Sequence, residues 1–94
     1  MNMVNSAVVD RVLAEVQYKI TESDLVLIKQ LCLPDKIIGG NLGISPANVS
    51  MRISRLGVRL GVENRTTIIV RALELGLVTI NQLVYRKFFG SSQS

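Results

Sequence analysis

Histidine is absent from the sequence, and cysteine occurs only once, at Cys32. Without histidine the chain lacks the commonest general base, and it has no carboxylate pair in an apolar setting, no glycine-rich phosphate loop and no nucleophile beside a base. A lone cysteine cannot staple the fold, so Cys32 is predicted to be a small buried apolar residue. The sequence therefore predicts a protein that is not an enzyme and that needs no cofactor and no metal.

Long apolar runs are also missing, although 48% of the residues are hydrophobic. No run approaches the ~20 residues that span a bilayer. Residues 1–7 lack the basic start and apolar stretch of a signal peptide. We therefore expect no membrane partner and a cytoplasmic, nucleoid-associated location, with residues 1–94 forming a single domain.

Acidic residues are few: 7 Asp and Glu stand against 11 Lys and Arg, which gives a net charge of +4. This balance favours attraction to a polyanion but is common in proteins that bind no nucleic acid. The positions of the arginines must therefore decide whether the sequence predicts nucleic-acid binding.

Helical signals cover most of the chain, and no segment has strand-like alternation. Apolar spacing predicts an amphipathic helix over residues 6–18. Thr21 and Asp24 form a capping-box pattern at the start of a helix that ends before Pro34. Further helices are predicted over residues 35–42, 46–60, 65–75 and 79–89, and residues 90–94 resemble a frayed tail. The predicted fold class is all-α.

The helix over residues 46–60 has the clearest limits. Ser45 is a favoured N-cap, Pro46 suits the first helical position, and Gly61 can adopt the left-handed conformation that ends a helix. Gly43 allows an abrupt turn over residues 43–45. Two helices joined by such a short turn form a helix-turn-helix, whose second helix enters the DNA major groove.

This second helix has a predicted core stripe of Val49, Ile53, Leu56 and Leu60. Its remaining residues include no Asp or Glu. Arginines on the flank of a helix in the major groove reach phosphates, whereas short side chains let the helix approach the base edges closely. Ser50, Met51 and Ser54 are predicted to point into the groove and to set the sequence preference. The full set of predicted DNA-binding residues is Ser45, Ala47, Asn48, Ser50, Met51, Arg52, Ser54, Arg55 and Arg59.

Several short motifs follow one another along residues 20–78. They are Ile20-Thr21-Glu22-Ser23-Asp24, then Leu42-Gly43-Ile44-Ser45, Asn48-Val49, Arg59-Leu60-Gly61-Val62-Glu63-Asn64-Arg65 and Arg71-Ala72-Leu73-Glu74-Leu75-Gly76-Leu77-Val78. In order and spacing they resemble the LuxR/GerE-type helix-turn-helix domain of bacteria. The resemblance implies a transcriptional regulator that binds double-stranded DNA as a homodimer.

Two departures from that family concern the helix before the turn. Ile37-Ile38-Gly39 replaces the usual Glu-Ile-Ala, and Gly39 keeps the small residue that lets the two helices touch. Gly40 has no such role and should weaken its helix by about 1 kcal/mol relative to alanine. In the second helix Asn48, Ser50 and Arg52 replace the family's Thr, Lys and His.

The helix over residues 65–75 is apolar around most of its circumference. A first set of residues, Ile69, Ala72, Leu73 and Gly76, is predicted to face the core. In the resembled family a partner subunit covers the rest, so the predicted dimerisation residues are Ile68, Val70, Arg71 and Leu75. Alternatively, the terminal helices cover this surface within one chain.

A second function also fits the sequence. The chain could keep the helix-turn-helix fold but bind RNA polymerase or another transcription regulator. Exposed Met51 and Val58 favour this alternative, because such side chains suit protein contact better than DNA contact.

Overall fold

The computed structural model describes the backbone of residues 6–85 and the side chains of residues 11–85. This part of the chain contains five α-helices and no strand, which confirms the all-α prediction. The helices are α1 Ser6–Gln17, α2 Glu22–Lys29, α3 Asp35–Leu42, α4 Pro46–Leu60 and α5 Arg65–Glu74.

Helix ends that carry a recognisable capping residue in the sequence agree with the predicted limits. Thr21 and Asp24 form the reciprocal bonds of a capping box at the start of α2. The Ser45 side chain accepts a hydrogen bond from the backbone N–H of Asn48 at the start of α4. Gly43 and Gly61 end α3 and α4 with φ of 72° and 73°, a left-handed conformation that glycine adopts without steric cost.

The hydrophobic core lies where α4 packs on α3 and α5, and α5 packs on α2. The predicted stripe of α4 faces it: Val49, Leu56 and Leu60 are buried, and Ile53 packs against them. Other buried side chains complete the core, and the largest of these are Ile28, Ile38 and Ile68 from helices and Leu31 and Leu77 from the segments that follow α2 and α5.

Gly39 fixes how closely α3 approaches the turn. A Cβ atom at this position would lie 2.6 Å from the backbone oxygen of Ile44, much closer than van der Waals contact allows. At Gly40 a Cβ would meet no atom within 4 Å. Gly39 is therefore required by packing, and the backbone that it packs against is the turn between α3 and α4 rather than the body of α4. Packing does not require glycine at Gly40.

The end of α2 differs from the prediction. The helix stops at Lys29, with Gln30 as its C-cap, and residues 30–33 form turns before Pro34. Leu31 is buried, but Cys32 is exposed, so the prediction of a buried Cys32 is wrong. The helical spacing that placed Cys32 on the inner face no longer applies once the helix has ended.

The two terminal helices also differ from expectation. In α1 the apolar residues Val12, Leu13 and Val16 are exposed, and among its described side chains Ala14 is the one that is buried. The predicted C-terminal helix does not begin at Thr79, because a single 3-10 turn, Ile80–Gln82, is followed by non-helical residues 83–85. The rest of that prediction, residues 86–89, and the predicted tail lie outside the described residues.

The inward face of α5 is rotated from the predicted one. Ile68 is 1% exposed and Ala72 fully buried, while Ile69, Leu73 and Leu75 pack against the core from its edges. Ile68 therefore cannot contact a partner subunit, and the prediction that it does is wrong. Among the described residues, no helix has the length and apolar character needed to cross a bilayer.

Candidate nucleic-acid interface

The outer surface of α4 is presented by the turn that precedes it. Ser45 caps this helix, and all the predicted DNA-binding residues except Arg59 are exposed: Ser45, Ala47, Asn48, Ser50, Met51, Arg52, Ser54 and Arg55. At 100° per residue, Ala47, Met51 and Val58 lie opposite the core stripe. One flank carries Asn48, Arg52 and Arg55, and the other carries Ser50 and Ser54. The surface of α4 thus has an apolar ridge between a cationic flank and a neutral hydroxyl flank.

Arg52 and Arg55 are available for an anion. Within residues 11–85, neither forms an ion pair, whereas Arg11, Arg59, Arg65 and Arg71 each pair with a carboxylate. Since α4 contains no acidic residue, no charge on the same helix neutralises them. Their positive charge therefore faces solvent.

Arg59 has a different environment from the one predicted. Its guanidinium donates to both carboxylate oxygens of Asp24, at 2.8 and 2.9 Å, and to the backbone oxygen of Lys19 at 2.8 Å. The sequence placed Arg59 with Arg52 and Arg55 toward phosphates, but these bonds hold it against α2. In this structure Arg59 joins two helices through a carboxylate partner, although its side chain stays partly exposed.

The same contacts also affect the pKa of the Asp24 carboxyl group. Partial burial raises its carboxyl pKa, but the hydrogen bonds from Arg59 and from Thr21, together with the positive charge of Arg59, outweigh burial and lower the pKa below its ordinary value of 3.8. The carboxylate is therefore ionised at neutral pH, where it also caps α2 through the backbone N–H of Thr21, 2.9 Å away.

A groove runs between α2 and the cationic flank of α4. It consists of two adjoining concavities of about 300 Å³ each, which share Ser23 and Arg52. One concavity, called the inner one, is lined by Ser23, Asp24, Leu27, Arg52, Arg55 and Arg59. The other, called the outer one, is lined by Glu22, Ser23, Val26, Leu42 and Arg52. We call the whole groove the α2–α4 groove; sequence reasoning missed it, because its walls come from residues about 30 positions apart.

Arg65, the first residue of α5, binds the N-terminal end of this helix to the segment between α2 and α3, a role that the sequence does not reveal. It donates to the backbone oxygens of Leu31 and Leu33, at 3.0 and 2.9 Å, and to Asp35 at 2.8 Å. These bonds satisfy carbonyl groups in the turns between α2 and α3. Arg65 thereby fixes α5 relative to the start of the helix-turn-helix.

The remaining predicted dimerisation residues have separate surroundings. Val70 is 50% exposed on the outer face of α5. Arg71 donates to the Tyr18 hydroxyl at 3.0 Å, lies 5.8 Å from the centre of that ring and pairs with Glu74. Leu75 packs against the core. Of the four, Val70 is the apolar side chain left on the surface.

No group of three or more potential ligands for a metal ion occurs among the described residues. No protein-family model, no curated protein and no solved structure matches this chain. The assignment of function therefore depends on the surface of α4 and its surroundings.

Proposed function

We propose that this chain is a helix-turn-helix transcriptional regulator of the LuxR/GerE type that binds double-stranded DNA, with α4 in the major groove. The observation that carries the proposal is the cationic flank of α4, where Arg52 and Arg55 are exposed and have no ion-pair partner among residues 11–85, on a helix without acidic residues. The abrupt turn at Gly43 supports it, since it leaves the outer surface of α4 uncovered. The net charge of +4 has the sign needed for DNA.

We place the base contacts of this proposed complex on the apolar ridge of α4. Ala47 and Met51 lie near the start of the helix, the part that approaches base edges in such complexes. Apolar side chains there contact the methyl group of thymine, and Ser50 and Ser54 can bond to any base. Selection of bound fragments from random DNA with the purified protein should therefore enrich thymine within each half-site.

The salt dependence of DNA binding tests the proposal. Binding of the purified chain to nonspecific duplex should weaken as salt increases, and Arg55→Ala should flatten the slope of log K against log salt by about one, because one fewer phosphate is neutralised. Fluorescence anisotropy at several salt concentrations measures both. Arg11→Ala is the matched control, since it removes the same charge from α1, and it should change the slope much less. An unchanged slope for Arg55→Ala would contradict the placement of α4 in the groove.

We further propose a homodimer, which would place two α4 helices about one DNA turn, ~34–36 Å, apart. The support is apolar surface left uncovered on α5 at Val70. Light scattering at micromolar concentration should give twice the monomer mass of 10.3 kDa, and Val70→Asp should shift the protein to monomer because an unpaired charge is costly to bury.

Two further variants locate the dimer interface. Val58→Asp makes the same change on α4 and should leave the dimer intact. Leu13→Asp probes the exposed apolar face of α1; dissociation by Leu13→Asp alone would move the interface to α1 and overturn the α5 assignment. A wild-type mass of 10.3 kDa would contradict the dimer altogether.

A second candidate function is binding to RNA polymerase or to another transcription regulator. It is favoured by Val58 and Met51, which are 80% and 46% exposed at the centre of the outer surface of α4. A contiguous patch of exposed apolar side chains often marks a protein-binding surface. This function needs no salt-sensitive affinity for nonspecific duplex, so the titration above separates it from DNA binding.

A further inference from the structure

We infer that the α2–α4 groove is a phosphodiester site, in which Ser23 of α2 and Arg52 and Arg55 of α4 hold the backbone of one DNA strand. This inference rests on the proposed function and adds a second helix to the DNA-binding surface. It also assigns the two flanks of α4 to different strands.

The groove carries net positive charge. Three arginines and one carboxylate line the inner concavity, and Glu22 adds a second carboxylate in the outer one. The groove therefore keeps an excess of positive charge, which is located in the inner concavity at Arg52 and Arg55 because Arg59 pairs with Asp24. Arg52 and Arg55, which form no ion pair within the described part of the chain, are one turn apart on α4 and lie on its side nearest α2. Two neighbouring arginines suit a polymer that carries single negative charges at regular intervals. A DNA strand is such a polymer, with one phosphate charge every ~3.4 Å along the axis.

The shape and position of the groove also suit a DNA strand. The groove is continuous over two concavities and lies beside the surface of α4 that is assigned to the bases. A helix lying in the major groove is bordered by both sugar-phosphate backbones. The backbone on the α2 side would therefore run along this groove, where the exposed Ser23 hydroxyl can donate to a phosphate oxygen.

The two flanks of α4 differ in charge. On the opposite flank of α4, Ser50 and Ser54 provide hydroxyl groups and no charge. Most of the phosphate neutralisation by α4 is thus directed to one strand. The strand in the α2–α4 groove should account for most of the salt dependence of each protomer.

A matched pair of substitutions tests the groove. Ser23 and Thr66 are both exposed hydroxyl residues at the second position of a helix, in α2 and α5 respectively. Glutamate is favourable in the first turn of a helix, so Ser23→Glu and Thr66→Glu should both fold, which a thermal melt confirms. Ser23→Glu should weaken binding to nonspecific duplex about tenfold at low salt, and Thr66→Glu less than about twofold, because only the former puts a like charge beside the bound strand.

The opposite charge provides a second readout. Ser23→Arg should strengthen binding and steepen the salt slope by about one, whereas Thr66→Arg should change neither appreciably. If wild-type protein and Arg55→Ala behaved as proposed but the Ser23 and Thr66 variants were indistinguishable, the groove would not hold phosphate and this inference would be wrong. If the wild-type chain bound no duplex at low salt, the proposed function itself would fail.

Discussion

Gly39→Ala is expected to destabilise the domain by about 3 kcal/mol, the upper end of the usual cost of forcing extra atoms into a packed site. The added Cβ would lie 2.6 Å from the backbone oxygen of Ile44, so the turn between α3 and α4 must move. A backbone atom cannot rotate away as a side chain does. For a domain of this size, such a loss lowers the melting temperature by roughly 12–24 °C.

Gly40→Ala is the control, one residue away in the same helix. Its Cβ would enter open space, and alanine favours helix over glycine, so this variant should be stabilised by about 1 kcal/mol. Urea unfolding followed by circular dichroism gives both values. Equal effects from the two variants would refute the argument, because helix propensity alone does not distinguish the two positions.

Local signals in the sequence were enough to place the helices around the turn. The limits of α3 and α4 follow from Gly43, Ser45, Pro46 and Gly61, whose conformational preferences act within a few residues. The core stripe of α4 also follows from spacing alone. The exposed surface of α4 could be predicted for the same reason, because it consists of the residues that do not belong to the core stripe.

Contacts between distant residues could not be predicted in this way. Asp24 was recognised as a capping residue, but nothing local indicates that its carboxylate also binds Arg59, 35 positions later. The sequence predicts a partner-subunit contact for Ile68 because α5 is apolar over most of its circumference, so spacing alone does not determine which of its faces points inward. The packing of α5 on α2 and α4 decides that direction, and it buries Ile68.

Asp24→Asn is expected to reduce stability while strengthening DNA binding. Asparagine keeps the shape of the side chain but loses the charge that holds Arg59, and we expect a cost of about 2 kcal/mol, typical of a lost hydrogen bond to a charged group. The Asp24 side chain is 14% exposed, so solvent screens this pair only partly. The released Arg59 lines the α2–α4 groove with Arg52 and Arg55, so affinity for nonspecific duplex should increase and the salt slope should steepen by about one.

Asp35→Asn separates the two effects. Asp35 pairs with Arg65 at 2.8 Å, like the Asp24–Arg59 pair, but it does not line the α2–α4 groove. This variant has the same change in net charge and should lose stability without the gain in affinity. Equal gains from Asp24→Asn and Asp35→Asn would mean that only net charge matters and that Arg59 does not reach DNA.

The pH dependence of stability provides an independent check on the Asp24–Arg59 pair. Because the pKa of folded Asp24 lies below its ordinary value of 3.8, the carboxylate stabilises the fold fully above that value, and this contribution is lost as the pH falls through the lower, folded pKa. The difference in unfolding free energy between wild type and Asp24→Asn should therefore be constant above about pH 5 and shrink below about pH 4. Denaturant titrations at several pH values measure this difference, and one that stayed constant down to pH 2 would show that the ionised carboxylate of Asp24 does not hold Arg59 in place.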